Sequence, residues 1–483
     1  MITAVLTTLA SVVVLVAILG VVFALLTDDR DPTVVLAWLF VILLVPILGV
    51  VAYFFVGRNL RRETRVRAEH DRGAHAVVDR ELAPVLAAAS GFSDATVRSL
   101  EGAPGQRLES AGRREGGTVP LPADDVRLYF AGADKFRDLL ADLRTARERI
   151  DLMYLIWERD ELTAEVTAIL MDRLAAGVQV HILYDWLSSL PYKKSELKAL
   201  AEAGAAVVPC YKKPRQLNYR NHMKMAIIDL AVVYSGGMNM GQEYIDGGPR
   251  FAVWRDTHFR MSGPVVAPYL QLFAATWQLN GREEDLYAGF PEPAGPHVVG
   301  SGVPVQVLHS SVSTPFSTIR DVFMVGLTAA RNRVWIQSPY FVPDEPLLTA
   351  MCVAASSGVD VRLMMTGHPD KKLPFNAAHA YFPTVLAAGV RVFMYDAGFL
   401  HSKTVTVDEE VTIIGTCNWD IRSLILHDEV VAVIYDDDIA RTCAAQYEQD
   451  LTHCSEFTLA DLAALSRWAR LRNSLSRLTS RLL

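Results

Sequence analysis

Cysteine is scarce. The 483 residues hold five, at Cys210, Cys352, Cys417, Cys443 and Cys454, widely spread and with no CxxC pair. That spacing excludes a disulfide framework and a structural zinc site, and it reads as thiols kept in a reducing compartment. An excess of basic charge is also missing. Lys and Arg number 47 against 54 Asp and Glu, a formal net charge of −7, so no global field points to nucleic acid, although local cationic patches can still take anions. Charge is absent altogether from residues 2–26 and 33–56. With 51% hydrophobic and 21% charged residues, the chain is not of the disordered class. It exceeds one ordinary domain of roughly 100–200 residues, which suggests two domains and an additional segment.

The first uncharged run, Ile2 to Leu26, is long enough at about 1.5 Å per residue to cross a hydrocarbon core of about 30 Å. After Thr27-Asp28-Asp29-Arg30-Asp31-Pro32 a second run extends from Thr33 to Val56, with Pro46 and Gly49 inside it and Trp38 and Tyr53 near its ends. Residues 1–57 thus read as a transmembrane hairpin. A cleaved signal peptide does not fit, because there is no basic n-region or small-residue cleavage site and a second span follows at once. Arg58, Arg61, Arg62, Arg65, Arg67 and Arg72 follow the second run, whereas the connecting turn is net acidic. The positive-inside rule then places everything after residue 57 in the cytoplasm, facing the inner leaflet of the cell membrane.

Residues 58–122 begin as a basic juxtamembrane stretch and become a Gly-, Ser- and Arg-rich segment, Glu101 to Pro122, that reads as a linker. From Val126 onward apolar runs alternate with helical patterns: Ile150–Trp157, then Leu162–Ala176, then Val178–Tyr184. Such βαβ units predict an α/β class. The pattern repeats. Thr145-Ala-Arg-Glu-Arg-Ile150 resembles Ala329-Ala-Arg-Asn-Arg-Val334, and Gly177-Val-Gln-Val180 resembles Gly358-Val-Asp-Val361. The offsets, 184 (331−147) and 181 (358−177), are far too long for a solenoid and indicate two fused copies of one unit. The copies are expected over 123–285 and 303–483, joined by the Gly/Pro-rich stretch Gly281 to Pro304.

Each copy carries HxKxxxxD: His222, Lys224 and Asp229 in one, His401, Lys403 and Asp408 in the other. Chance predicts on the order of 0.03 such matches in the chain, so two at equivalent places are a strong signal. On a strand, positions i and i+2 share a face, so His and Lys are expected to project together, with the Asp at the strand end. Asn239 and Asn418 follow their histidines by the same 17 residues (239−222 and 418−401), and carboxylates come next, Glu243 and Glu429. Thr416 adds a hydroxyl. This set suits a phosphodiester: one imidazole attacks phosphorus, ammonium and amide groups hold the developing charge, and a second imidazole protonates the leaving oxygen. Ammonium groups supply charge neutralisation without a metal. For Asp229 and Asp408 a turn or salt bridge fits as well as catalysis. Ser402 lies on the opposite strand face with only Met223 as its counterpart, which argues against a serine nucleophile. His258 and His427 are candidates for the pocket wall or the core.

With these motifs the sequence resembles the phospholipase D superfamily and, within it, bacterial cardiolipin synthases. The resemblance extends to Tyr53-Phe54-Phe55-Val56-Gly57-Arg58, Trp254-Arg255-Asp256-Thr257, Tyr340-Phe341-Val342-Pro343-Asp344, Gly398-Phe399-Leu400-His401 and Asn418-Trp419-Asp420-Ile421-Arg422-Ser423. It implies two α/β lobes whose motifs meet in one site. The implied reaction is phosphatidyl transfer between two phosphatidylglycerol molecules with release of glycerol, through a phosphatidyl-histidine, with neither cofactor nor metal. His222 is implied as the nucleophile, and Glu243 and Glu429 as the carboxylates that orient the imidazoles through Nδ1. The chain departs from the family pattern at Thr416, usually Ser, and at His427-Asp428, more often Asn and an apolar residue. Hydrolysis to phosphatidic acid uses the same residues. A nuclease is disfavoured by the spans and the net negative charge, and a scaffold that only binds anionic lipid is disfavoured by the intact duplicate sets. At the C-terminus Leu465, Trp468, Leu471, Leu475, Leu478 and Leu482 recur at steps of three and four, with Arg467, Arg470, Arg472, Arg477 and Arg481 between them and no acid after Asp461. This is an amphipathic helix that either docks on the second lobe or lies on the anionic inner leaflet.

Overall fold

The computed structural model describes residues 2–27, 32–53, 57, 83–190, 195–212, 216, 218–281, 286, 301–311, 314 and 316–478. Arg58 to Arg72, most of the expected joint 281–304, Arg481 and Leu482 lie outside the described residues. At the N-terminus Ile2–Leu26, Pro32–Leu44 and Pro46–Ala52 are helical. The second uncharged run breaks at Val45, because Pro46 lacks the N–H that would continue the helix. Val21, Leu25, Ile42 and Tyr53 pack together, whereas Leu15, Phe23, Phe40 and Leu43 are exposed. Among the described residues no helix is long and apolar enough to cross a membrane, so the fold by itself does not supply the two expected spans.

The rest is a mixed α/β fold of two lobes. Strands β1 (Leu121–Ala123), β2 (Asp125–Tyr129), β3 (Arg149–Tyr154), β4 (Gln179–Asp185), β5 (Ala206–Cys210), β6 (Met225–Ile228), β7 (Val232–Gly236), β8 (Trp254–Arg255) and β9 (His258–Ser262) precede the joint. After it come β10 (Val303–Ser310), β11 (Arg333–Gln337), β12 (Phe341–Val342), β13 (Asp360–Thr366), β14 (Arg391–Tyr395), β15 (Phe399–Leu400), β16 (Thr404–Val407), β17 (Val411–Gly415), β18 (Trp419–Asp420), β19 (Glu429–Tyr435) and β20 (Cys454–Phe457). The first sheet has the order β2-β9-β7-β6-β3-β4-β5, and the second repeats it as β10-β19-β17-β16-β11-β13-β14, with β1 and β20 added at its edges. β3, β4 and β5 are parallel, as are β11, β13 and β14, and the remaining pairs within each sheet are antiparallel. Central strands such as β3, β6, β16, β17 and β19 are buried along their whole length, because both faces of each sheet are covered. Between the lobes Met225, Ile227, Phe259, Phe273 and Trp277 share one core with Val305, Val307, Ile414, Val430 and Ile434.

The segment expected as a linker departs from that reading. Pro104–Gly116 is a helix, and β1 pairs with β10, so residues 104–123 build the second lobe. Leu108 enters the core with Ile319 and Phe323. Elsewhere on this helix glycine makes the close contact: a Cβ at Gly112 would stand 2.7 Å from the Gln306 amide. Packing through glycine leaves no apolar periodicity in the sequence.

Candidate active site

In both lobes the motif is anchored by its aspartate. Asp229 and Asp408 sit in the turns after β6 and β16 with left-handed φ of 49° and 52°, a conformation that Asp tolerates better than most residues. Asp229 accepts the amides of Arg147, Glu148 and Arg149 at 2.8–3.1 Å. Asp408 accepts those of Arg331, Asn332 and Arg333 at 2.8–3.0 Å. Both carboxylates are thus committed to the chain entering β3 and β11 rather than placed beside the imidazoles, a placement that suits a turn role.

The histidines and lysines lie just before β6 and β16, not within them as the i, i+2 argument expected. Their backbone partner is the other lobe. The His222 amide donates to Asp428 O at 3.0 Å and Asp428 N to Arg220 O at 2.9 Å, while the His401 amide donates to Arg255 O at 2.7 Å beside the parallel β15–β8 pair. Each histidine is therefore tied to the residue immediately before a carboxylate of the opposite lobe. That carboxylate takes its Nδ1: Glu429 holds His222 at 2.8 Å, and Asp256 holds His401 at 2.7 Å. Asp256, not Glu243, is the repeat partner of Glu429. The Gly237 amide donates to Thr257 O as the Thr416 amide does to Val430 O, so residues 256 and 429 occupy matching places. Glu243 is partly buried in the short helix Glu243–Asp246, and the groups acting on it are Glu158, Asp160, Asp370 and Arg250. Burial, with Glu158 and the two aspartates, raises its pKa to about 8.

The two motifs converge. Burial, reinforced by Lys224 and His427, pushes the His222 imidazole well below its ordinary pKa, with smaller effects from Lys403 and His401. Burial and then Lys403 bring His401 to about 4, against the pull of Asp256. Burial also lowers Lys224 to about 7 and Lys403 to about 8, with Glu429 and Asp256 opposing it. The Lys224 ammonium donates to His222 O at 2.6 Å, and Lys403 donates to His401 O. The carboxylates differ. Burial opposes ionisation of Asp256, but Lys403, His401 and the Thr257 amide outweigh it and hold the group below the usual range. Burial raises Glu429 to about 8 despite Lys224 and the Thr416 hydroxyl. His222 and Glu429 approach at ion-pair distance, yet burial moves both toward neutrality. A neutral imidazole that gives its Nδ1–H to Glu429 at this distance would leave the lone pair on Nε2.

Asn239 and Asn418 are buried. Each donates to a neighbouring hydroxyl, Tyr244 at 2.9 Å and Ser423 at 3.3 Å, and each keeps its amide oxygen without a hydrogen bond among the described residues. Thr416 Oγ1 donates to Glu429 at 2.5 Å. Its counterpart Gly237 must lack a side chain, since a Cβ there would meet Asp256 Oδ1 at 2.0 Å. Ser402 is buried against Thr257 Oγ1 at 2.8 Å, which agrees with its exclusion as a nucleophile. His258 belongs to the core. His427 lies in the site: its Nε2 accepts from Arg422 at 3.2 Å, its Nδ1 is 3.8 Å from Glu429, and its ring centroid is 5.6 Å from that of His222. A cavity of about 300 Å³ opens here, lined by His222, His427, Asn418, Tyr340 and the cations Arg220, Arg422 and Lys371. His222, His427 and Glu429 also bring one potential metal-ligand atom each within 4.8 Å of one another. His222 and Glu429 are already hydrogen-bonded to each other and the Lys224 charge acts on both, which suits an anion better than a resident cation.

Comparison with known proteins agrees with this geometry. The family described as "Cardiolipin synthase, PLD-like domain" matches residues 139–248 and 325–451, and "Phospholipase_D-nuclease N-terminal" matches 12–58. A cardiolipin synthase of Halalkalibacterium halodurans is 32% identical over 98% of this chain and 93% of its own length. The major cardiolipin synthase of Bacillus subtilis is 33% identical over 96% and 97%. The chain belongs to the cardiolipin synthase family of phospholipase D-like proteins. Its members are enzymes, so the resemblance read from the twin motifs holds over nearly the whole length. The crystal structure of a phosphatidylserine synthase from Haemophilus influenzae, 14% identical, shares the fold with a TM-score of 0.58 over 78% of this chain and 100% of that one.

Proposed function

We propose that the protein transfers a phosphatidyl group from one phosphatidylglycerol to a hydroxyl of a second, forming cardiolipin and releasing glycerol. The observation that carries this reading is the pair of imidazoles, each held through Nδ1 by the other lobe's carboxylate, around two buried lysines. His222 Nε2 attacks phosphorus, the bond to the glycerol oxygen breaks, and His401 delivers a proton to that oxygen. The acceptor's glycerol hydroxyl then gives its proton to His401 and attacks the phosphatidyl-histidine, and the P–N bond breaks. Lys224, Lys403, Asn239 and Asn418 hold the equatorial oxygens. An incoming phosphodiester anion raises the pKa of both lysines and of His401, so binding charges the groups that must carry protons, while burial keeps His222 neutral for attack. The assignment of His401 as the acid is supported by its partner: Asp256 stays anionic and stabilises an imidazolium, whereas Glu429 beside His222 is drawn toward neutrality. Arg220, Arg422 and Lys371 at the cavity supply charge for the phosphate of the second lipid.

The N-terminal helices anchor this site as a two-span membrane hairpin, with the lobes on the cytoplasmic face. The outward apolar side chains, the family match over residues 12–58 and the arginines at positions 58–72 support that topology. Labelled phosphatidylglycerol tests the reaction: cardiolipin plus glycerol is the expected product, and phosphatidic acid alone would replace transfer with hydrolysis. A labelled phosphatidyl adduct should accumulate in His401→Ala and not in His222→Ala. The reverse pattern would exchange the two roles.

A further inference from the structure

The C-terminal helix Arg467–Leu478 packs on the helix Lys372–His379 with the face opposite to its apolar one. The residues it buries are Asn473 and Ser476. Ser476 Oγ donates to Arg472 O at 2.9 Å, and the Arg477 guanidinium lies 4.6 Å from the centroid of the Tyr381 ring. The other face is left outside: Trp468 is 80% exposed, Leu471 47%, Leu475 54% and Leu478 81%. These four follow one another at steps of three and four, so they form a single stripe. A terminal helix that completed the core would bury its leucines and expose its Asn and Ser. This one does the reverse, which answers the choice between docking and membrane contact left open by the sequence: the polar face docks and the apolar face needs a different partner.

We propose that this stripe lies in the interface of an anionic bilayer, with Trp468 and the leucines among the upper acyl chains and the flanking arginines at the lipid phosphates. Charge selects this occupant. No Asp or Glu follows Asp461, whereas Arg467, Arg470, Arg472, Arg477 and Arg481 do. Position gives the contact a use. Lys371 and Pro374, at the start of the helix on which Arg467–Leu478 rests, line the cavity at His222. A bilayer held by the stripe therefore lies one helix away from that wall, which brings lipid headgroups near the cavity. Only this last consequence rests on the phosphatidyl-transfer reading; the contact itself does not.

The test uses the full chain reconstituted in vesicles of phosphatidylglycerol and phosphatidylcholine. The tryptophan emission removed by Trp468→Phe is expected to be quenched about twofold or more by bromine-labelled acyl chains and little by aqueous iodide. In Leu471→Ser/Leu475→Ser, cardiolipin formation in vesicles is expected to fall about fivefold or more while formation in detergent micelles and the melting temperature stay near wild type. Iodide quenching of Trp468 without quenching by brominated lipid would overturn the proposal. So would a fall in melting temperature, which would make the stripe part of the core, or cross-linking between chains through Leu471→Cys, which would make a second copy the partner. If the wild-type protein made no cardiolipin, the fluorescence measurement would still decide the contact, so failure of the proposed reaction is distinguishable from failure of this proposal.

Discussion

Replacing Asp256 by Asn probes the pairing of each imidazole with the opposite lobe. Asp256 Oδ2 is 2.7 Å from His401 Nδ1 and 3.9 Å from the Lys403 ammonium, and Oδ1 accepts the Thr257 amide at 2.7 Å, all in buried surroundings. Asn preserves the shape and one acceptor but removes the charge that orients the imidazole and stabilises its protonated form. A hydrogen bond to a charged group contributes about 1.5–3 kcal/mol, and breaking a buried charged pair costs about 3–5 kcal/mol. A loss of about 2–4 kcal/mol in transition-state stabilisation corresponds to a fall of about 30- to 1,000-fold in rate. Glu243→Gln is the contrasting variant. Glu243 is drawn toward its neutral form at about 8 and interacts with other acids and Arg250 rather than an imidazole, so Gln imitates its protonated state and activity is expected to stay within about threefold. Both are measured as initial rates of cardiolipin formation from labelled phosphatidylglycerol in vesicles. Adding Asp256→Asn to His401→Ala is expected to cost little more, because the two groups act as one unit. A loss of two orders of magnitude in Glu243→Gln beside a near-normal Asp256→Asn would refute the cross-lobe assignment.

Asp408→Ala removes the acceptor of three amides, and a loss of about 1–3 kcal/mol should lower the melting temperature by several degrees. Unchanged melting with abolished turnover would restore a catalytic part for Asp408. Gly237→Ala places a Cβ against Asp256 Oδ1 and is expected to reduce turnover about tenfold or more by displacing that carboxylate from His401; normal turnover would show that the loop yields. Raising the pH removes the ammonium charge of Lys224 near 7 and of Lys403 near 8, charge that is fully present only below those values. kcat/KM is therefore expected to fall as pH rises through that window and beyond, and a profile that climbs steadily above pH 8 would contradict the phosphate-holding part given to the lysines. Activity is expected to survive EDTA, while excess Zn²⁺ should inhibit reversibly by capturing His222, His427 and Glu429. Complete loss in EDTA restored by one divalent ion would reject the metal-free reading.

Much of this molecule was legible in its sequence because the decisive features are local. An imidazole, an ammonium two residues on and an amide 17 residues from the imidazole belong to one hairpin, and duplication of the set at constant spacing exposed it. The βαβ alternation and the duplicated unit are local in the same way. The spacing that failed is the one to the carboxylate. Asp256 follows His222 by 34 residues (256−222) whereas Glu429 follows His401 by 28 (429−401), so spacing does not single out Asp256, and Glu243, the first carboxylate after Asn239 but only 21 residues from His222 (243−222), reads in its place. The interaction that selects Asp256 is not within its own repeat at all. It arises because the chain around each histidine pairs with the other lobe, at Asn221 and Asp428 and again at β15 and β8. Contacts between residues 145 positions apart (401−256) and 207 apart (429−222) leave no periodicity to read. For the same reason the helix Pro104–Gly116, packed through glycines on the second lobe, read as a linker, and the C-terminal helix could not be oriented. Composition shows that a helix has an apolar face, but only its neighbours decide which face they cover.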